Sequence, residues 1–140
     1  MKRHYFLIAL LSIISFNYVQ AQKKTTMDLL TAHAWVNSDS TYFVKFDNEI
    51  FYSYSNHVGL KRVSNSRNYY LSNTDNFIPE STKIDFKTSL IGKVQNGMYI
   101  ITSNRVFWIK EISENSLIFI ATAHGGPLLE MVPYYGVFPE

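Results

Sequence analysis

Beyond Trp35 the chain alternates short apolar runs, rich in Val, Ile, Phe and Tyr, with turn-forming clusters of Asn, Asp, Ser and Gly. Runs of this length at regular spacing predict the strands of a sandwich or barrel. They fall over residues 34–38, 41–46, 50–55, 68–72, 82–86, 98–102, 105–112, 116–122 and 128–132. The one helical stretch is 27–32, for which Thr26 is the expected N-cap. Residues 55–68 and 73–93 are less regular, with Pro79 breaking the second, and read mostly as long loops.

Turn chemistry then sorts side chains onto faces. Asn96-Gly97 is a strong hairpin signal, because both residues tolerate the positive φ angles of a type I′ turn. With two-residue turns also at Ser103-Asn104 and Glu114-Asn115, Tyr99 falls opposite Trp108, Ile101 opposite Val106 and Ile112 opposite Leu117. One face then gathers Tyr99, Ile101, Val106, Trp108, Leu117, Phe119 and Ala121 and is the expected core. The other carries Met98, Ile100, Phe107, Ile109, Ile118 and Ile120 and is apolar too. An antiparallel sheet with one wet face alternates cleanly, so the doubled pattern implies an outer face covered by the chain's own helix or tail, by a second sheet, or by a partner. In the earlier hairpin a three-residue loop at 47–49 is preferred, with Asn48 left-handed. It brings Tyr42, Val44, Phe46, Ile50, Tyr52 and Tyr54 to one side and keeps Glu49 out of the core.

The first residues change the setting. Lys2 and Arg3 precede an apolar run over 5–16, and Val19 and Ala21 supply small residues for cleavage after position 21, the pattern of a secretory signal peptide. That run is short for a membrane span, which takes ~20 residues. The expected product is one soluble domain over 22–140, periplasmic or secreted, without a stable membrane anchor. Losing Lys2 and Arg3 leaves 11 basic against 11 acidic side chains, and no basic stripe is present, so nucleic acid is not an expected partner. With no cysteine, disulfides, thiolate metal sites and a lipid-modified cysteine anchor are excluded, and packing of aromatic bulk must supply stability.

Catalytic chemistry finds little footing. His33, His57 and His124 lie far apart in sequence and outside any metal-binding spacing. His124-Gly125-Gly126 lacks the GxSxG elbow that would make it an oxyanion segment, and with Pro127 reads as a tight connection between strands. The acid pairs Asp47 with Glu49 and Asp75 with Glu80 sit in turns or loops. A non-enzyme without cofactor or metal is expected.

A short helix with Leu29-Leu30, Trp35 on the first strand and a meander of hairpins follow one another. So do Tyr70-Leu71-Ser72, Ile84-Asp85-Phe86, Ile91-Gly92-Lys93 and the segment Asn96-Gly97-Met98-Tyr99-Ile100. In this order of features the chain resembles the small lipocalin-like (calycin) proteins that bacteria export. The resemblance implies an all-β, antiparallel up-and-down barrel of about eight strands, whose interior is filled by side chains or holds one small ligand. Tyr42, Tyr52, Tyr54 and Tyr70 are then the candidate ligand-binding residues, ring faces serving an apolar ligand and hydroxyls its polar end. The expected function is sequestering or carrying a small apolar molecule. The alternative is a protein-interaction module, an inhibitor or accessory subunit of an exported complex, that meets a partner or a second copy through the apolar outer face.

Overall fold

The computed structural model describes residues 23–56, 62–121 and 126–139; the expected signal peptide, His57, His124 and Gly125 lie outside them. Eight antiparallel strands follow one another around a closed barrel. They are β1 (Ala34–Asn37), β2 (Tyr42–Phe46), β3 (Ile50–Ser55), β4 (Val63–Ser72), β5 (Tyr99–Thr102), β6 (Val106–Ile112), β7 (Leu117–Ala121) and β8 (Leu128–Tyr134). Pairing of β1 with β8 shuts the ring.

Among the described residues one helix, α1 (Thr26–Thr31), precedes β1. Six residues do not hold a helix in water by themselves, so its support is tertiary. Its N-cap is Thr25, one residue earlier than expected, in a reciprocal box: Thr25 Oγ1 accepts from the Asp28 N–H, and Asp28 Oδ2 from the Thr25 N–H. This leaves the Thr26 N–H free to donate to Asn96 Oδ1. Met27 and Leu30 bury themselves in the barrel end, and the Trp35 indole donates to the Leu30 carbonyl at 3.1 Å. The helix is a plug.

The β5–β6 and β6–β7 turns keep the expected pairs, Tyr99 with Trp108, Ile101 with Val106 and Ile112 with Leu117. The faces nevertheless differ from the sequence reading. Between Ile109 and Glu111 the register slips, leaving Lys110 as the extra residue of a β-bulge. Before the bulge Phe107 therefore pairs with Ala121 and Ile109 with Phe119. Ile100, Phe107 and Ile109 point inward with Leu117 and Phe119, whereas Tyr99, Ile101, Val106 and Trp108 lie outside.

The β2–β3 register is also corrected. Phe46 pairs with Phe51 and Val44 with Ser53, across a four-residue loop closed by the Asp47 N–H on the Ile50 carbonyl. Asp47 Oδ1 accepts from the Glu49 and Ile50 N–H groups, so the carboxylate builds the loop, and Asn48 has no positive φ. One residue more in the loop still leaves Glu49 exposed while Phe46 stacks on Phe51 inside, with Tyr52 and Tyr54 turned out.

Two other expectations fail for local reasons. Residues 82–86 are extended but make only one bridge, Ile84 with Phe77. The segment lies on the outside of the barrel instead, where Phe77, Ile84, Phe86, Leu90 and Ile91 cover Tyr70, Ile101 and Val106. Asn96-Gly97 is not a positive-φ turn. Gly97 is needed for closeness: a Cβ there would stand 2.7 Å from the Ser72 backbone N and O. A second outer cluster, Val36, Phe43 and Tyr54, is covered by Tyr134 and by Phe138 of the C-terminal tail. The outer apolar surface is thus largely covered by the chain itself.

Candidate functional site

The inner wall of the barrel changes character along its axis. At the helix end and through the middle it is mostly apolar. Phe46 and Phe51 stack at 5.0 Å, and Phe51 of β3 meets Phe107 of β6 at 5.5 Å, the latter touching Phe119 at 5.6 Å. Rings from opposite walls meet, so at that level the interior is occupied by side chains. Tyr69, fully buried, donates to the Asp47 carbonyl at 2.6 Å and contacts Met27 Sδ at 3.1 Å. Burial, aided by the Asp47 carboxylate, pushes its phenol well above the usual tyrosine range.

Toward the other end the inward positions turn polar. Tyr42, Ser53, Asn65, Arg67 and Arg105 share the inner face there, as the strand registers require. Burial raises the Tyr42 phenol, against a hydrogen bond with Ser53 and the fields of Arg105 and Arg67. Thr102, fully buried, fixes the β5–β6 turn: its hydroxyl donates to the Arg105 carbonyl at 2.9 Å and accepts from the Arg105 N–H at 3.0 Å. Arg67 and Arg105 take no part in the two ion pairs found among the described residues, Lys24–Glu114 and Lys87–Asp85.

The four candidate tyrosines are not brought together. Tyr42 points inward at the mouth; Tyr54 faces out and packs edge-on against Phe43 at 6.1 Å. Tyr70 faces out on another side, where its hydroxyl donates to the Asp85 carbonyl and accepts from Asn76 Nδ2. Tyr52, also outside, donates to Asp47 Oδ2 at 3.3 Å, and desolvation together with that carboxylate pushes its phenol up. The cause of the scatter is the β2–β3 register, which puts Tyr42 and Tyr52 on opposite faces.

Of the four, Tyr52 alone lines a groove formed by the described residues. This hollow of about 600 Å³ lies between β2–β4 and the C-terminal tail, with Lys45, Tyr52, Ser64 and Ser66 along one side and Val137, Phe138 and Pro139 along the other. Its lining is amphipathic, with one lysine, several hydroxyls and an apolar wall. Sequence reasoning missed Lys45, Ser64 and Ser66, and the signal for the last two is that 63–68 is polar on both faces yet paired along its length with β3.

The other candidates for chemistry have structural roles. Asp47 builds a loop, Asp75 Oδ1 accepts from the Phe77 N–H, and His33 packs edge-on against Trp35 and Tyr135. Among the described residues no three of His, Cys, Asp and Glu cluster as metal ligands. No helix among them is long and apolar enough to cross a membrane. The molecule is a closed, eight-stranded, antiparallel up-and-down barrel of the calycin-like shape, plugged at one end. No family model, curated protein or solved structure compared with the chain matches it.

Proposed function

We propose that this chain is an exported, lipocalin-like, non-catalytic binding protein that holds a small amphipathic molecule in the outer groove beside β2–β4. The groove carries the reading. Its volume of about 600 Å³ sits within the range that small-molecule sites occupy. Lys45 gives an acidic group a counter-charge, Tyr52, Ser64 and Ser66 offer hydroxyls, and the tail offers Val137, Phe138 and Pro139 to an apolar part. The barrel axis is a poorer place for the ligand, since Phe51 and Phe107 meet there. Export is supported by Lys2, Arg3 and the apolar run that follows them, and N-terminal sequencing of the mature protein would read Gln22 first.

The test is a thermal-shift and calorimetric panel of amphipathic carboxylates, chain length and ring content varied. Ser64→Trp fills the groove and should abolish binding of any hit; Lys45→Ala should weaken it about tenfold; Tyr70→Phe should leave it unchanged. A hit that Ser64→Trp binds as tightly as the parent would remove the groove from consideration.

A second reading, the partner-binding module, is favoured by one observation. On the outer face Trp108, Ile120 and Leu128 form one cross-strand row, with Trp108 36% and Leu128 46% exposed. Trp108→Lys should then leave the isolated fold intact and lose the partner in a pull-down from the native periplasm.

A further inference from the structure

The strands β4 and β5 differ in reach. Val63–Ser72 pairs with β3 over its first six residues, but with β5 only from Tyr69 onward. The Tyr69 N–H bonds to the Glu49 carbonyl of the β3 side. Antiparallel ladders alternate, so Tyr69, Arg67 and Asn65 direct their backbone groups to β3, while Asn68, Ser66 and Ser64 direct theirs the other way. There the chain of β5 has already turned at Ser103-Asn104, and no described strand lies opposite. Ser64, Asn65, Ser66 and Asn68 are accordingly exposed. Among the described residues the barrel rim therefore has a notch, one wall of which is a strand edge whose outward donors and acceptors pair with no described strand.

Natural edges are blunted by Pro, inward charges, bulges or a covering segment. Residues 63–68 read Val-Ser-Asn-Ser-Arg-Asn, without Pro or acid, run straight along β3, and carry Arg67 as their one inward charge. The charge around the notch has one sign: Arg62, Arg67 and Arg105 border it, and neither 50–56, 62–72 nor 98–110 contains a carboxylate. Arg67 and Arg105 face the barrel axis, to which every second side chain of an added strand would turn.

We propose that the free edge of β4 binds an extended acidic peptide segment as an added strand, its backbone pairing with Ser64, Ser66 and Asn68 and its inward carboxylates meeting Arg67 and Arg105. This site shares Ser64 and Ser66 with the outer groove but not Lys45 or Tyr52, so Lys45→Ala, which should weaken a groove ligand, should leave the peptide's affinity unchanged. Backbone pairing supplies affinity and the two guanidinium groups supply preference for acidic side chains.

The probe is a fluorescein-labelled peptide of alternating glutamate and valine, about six residues long, titrated by anisotropy against the whole chain. Binding should weaken with added salt, and amides of 63–68 should gain protection from hydrogen exchange. Ser66→Pro removes a donor only on the open side, where proline is tolerated; it should keep the parent's melting temperature and weaken the peptide at least tenfold. Arg67→Gln should weaken it about fivefold and flatten the salt dependence, and a lysine–valine peptide should fail to bind. Should Ser66→Pro not fold, the same glutamate–valine peptide N-methylated on alternate backbone nitrogens tests the pairing on the parent and should not bind. Equal binding by Ser66→Pro or by the N-methylated probe, no binding of the acidic peptide, or full displacement of it by inorganic phosphate at equal concentration would each overturn the proposal, the last by showing a small-anion site.

Discussion

The two ends of this barrel are built to opposite rules. At the helix end Met27, Leu30, Trp35 and Tyr69 are almost wholly buried, and each polar atom they bring is used, the Trp35 indole on Leu30 and the Tyr69 hydroxyl on Asp47. At the mouth Ser53, Asn65, Arg67 and Arg105 share the inner face, with Arg67 half-buried and Asn65 and Arg105 exposed. The difference teaches that apolar packing is concentrated at one end of the axis and polar side chains at the other. One end closes the fold, and the other leaves charge and backbone valence for something else.

Trp35→Ala should break the closed end most severely, at about 3–5 kcal/mol, because a large ring is removed from a site that the helix holds shut; urea unfolding measures it. Tyr69→Phe comes next, at about 1–2 kcal/mol, since the Asp47 carbonyl loses its buried donor. This variant also has a pH signature. The folded-state pKa of Tyr69 is raised, so the tyrosine's contribution is whole below the unfolded value of about 10 and is lost as pH rises beyond it, when the unfolded chain ionises first. The gap in urea midpoint between parent and Tyr69→Phe should narrow at strongly alkaline pH. Thr25→Ala should cost about 1 kcal/mol by opening the capping box, read as a lowered melting temperature. At the mouth Arg67→Gln should change stability by no more than about 0.5 kcal/mol. A loss there as large as that of Tyr69→Phe would erase the contrast between the ends.

Most of the strands were legible because hydrophobic runs and turn residues carry them locally, whereas closure into a barrel followed only from the resemblance in the order of features. The Ser103-Asn104 and Glu114-Asn115 turns landed as expected for the same reason. Which face is the interior was not legible beyond the bulge, because Lys110 looks like any exposed strand residue and only the three-dimensional pairing shows it to be supernumerary. The β2–β3 loop misled likewise: three residues and four both leave Glu49 in water, and what decides is the stacking of Phe46 on Phe51. The long β4 was hidden because 63–68 has no apolar face to betray a strand. For the candidate site this meant that one tyrosine, Tyr52, was found in the groove, while its neighbours Ser64 and Ser66 carried no apolar signal.

Gly97 lies where the excursion over residues 73–98 returns to the barrel, against the Ser72 backbone from which that excursion departs. Entrance and exit are thereby cinched together like the neck of a pouch. What hangs beyond the neck can be lengthened, shortened or exchanged for foreign sequence with the cylinder left standing, provided something greasy still lies over Tyr70, Ile101 and Val106. At the neck itself even a methyl group has nowhere to go, and a saturation library should come back with that one codon unchanged.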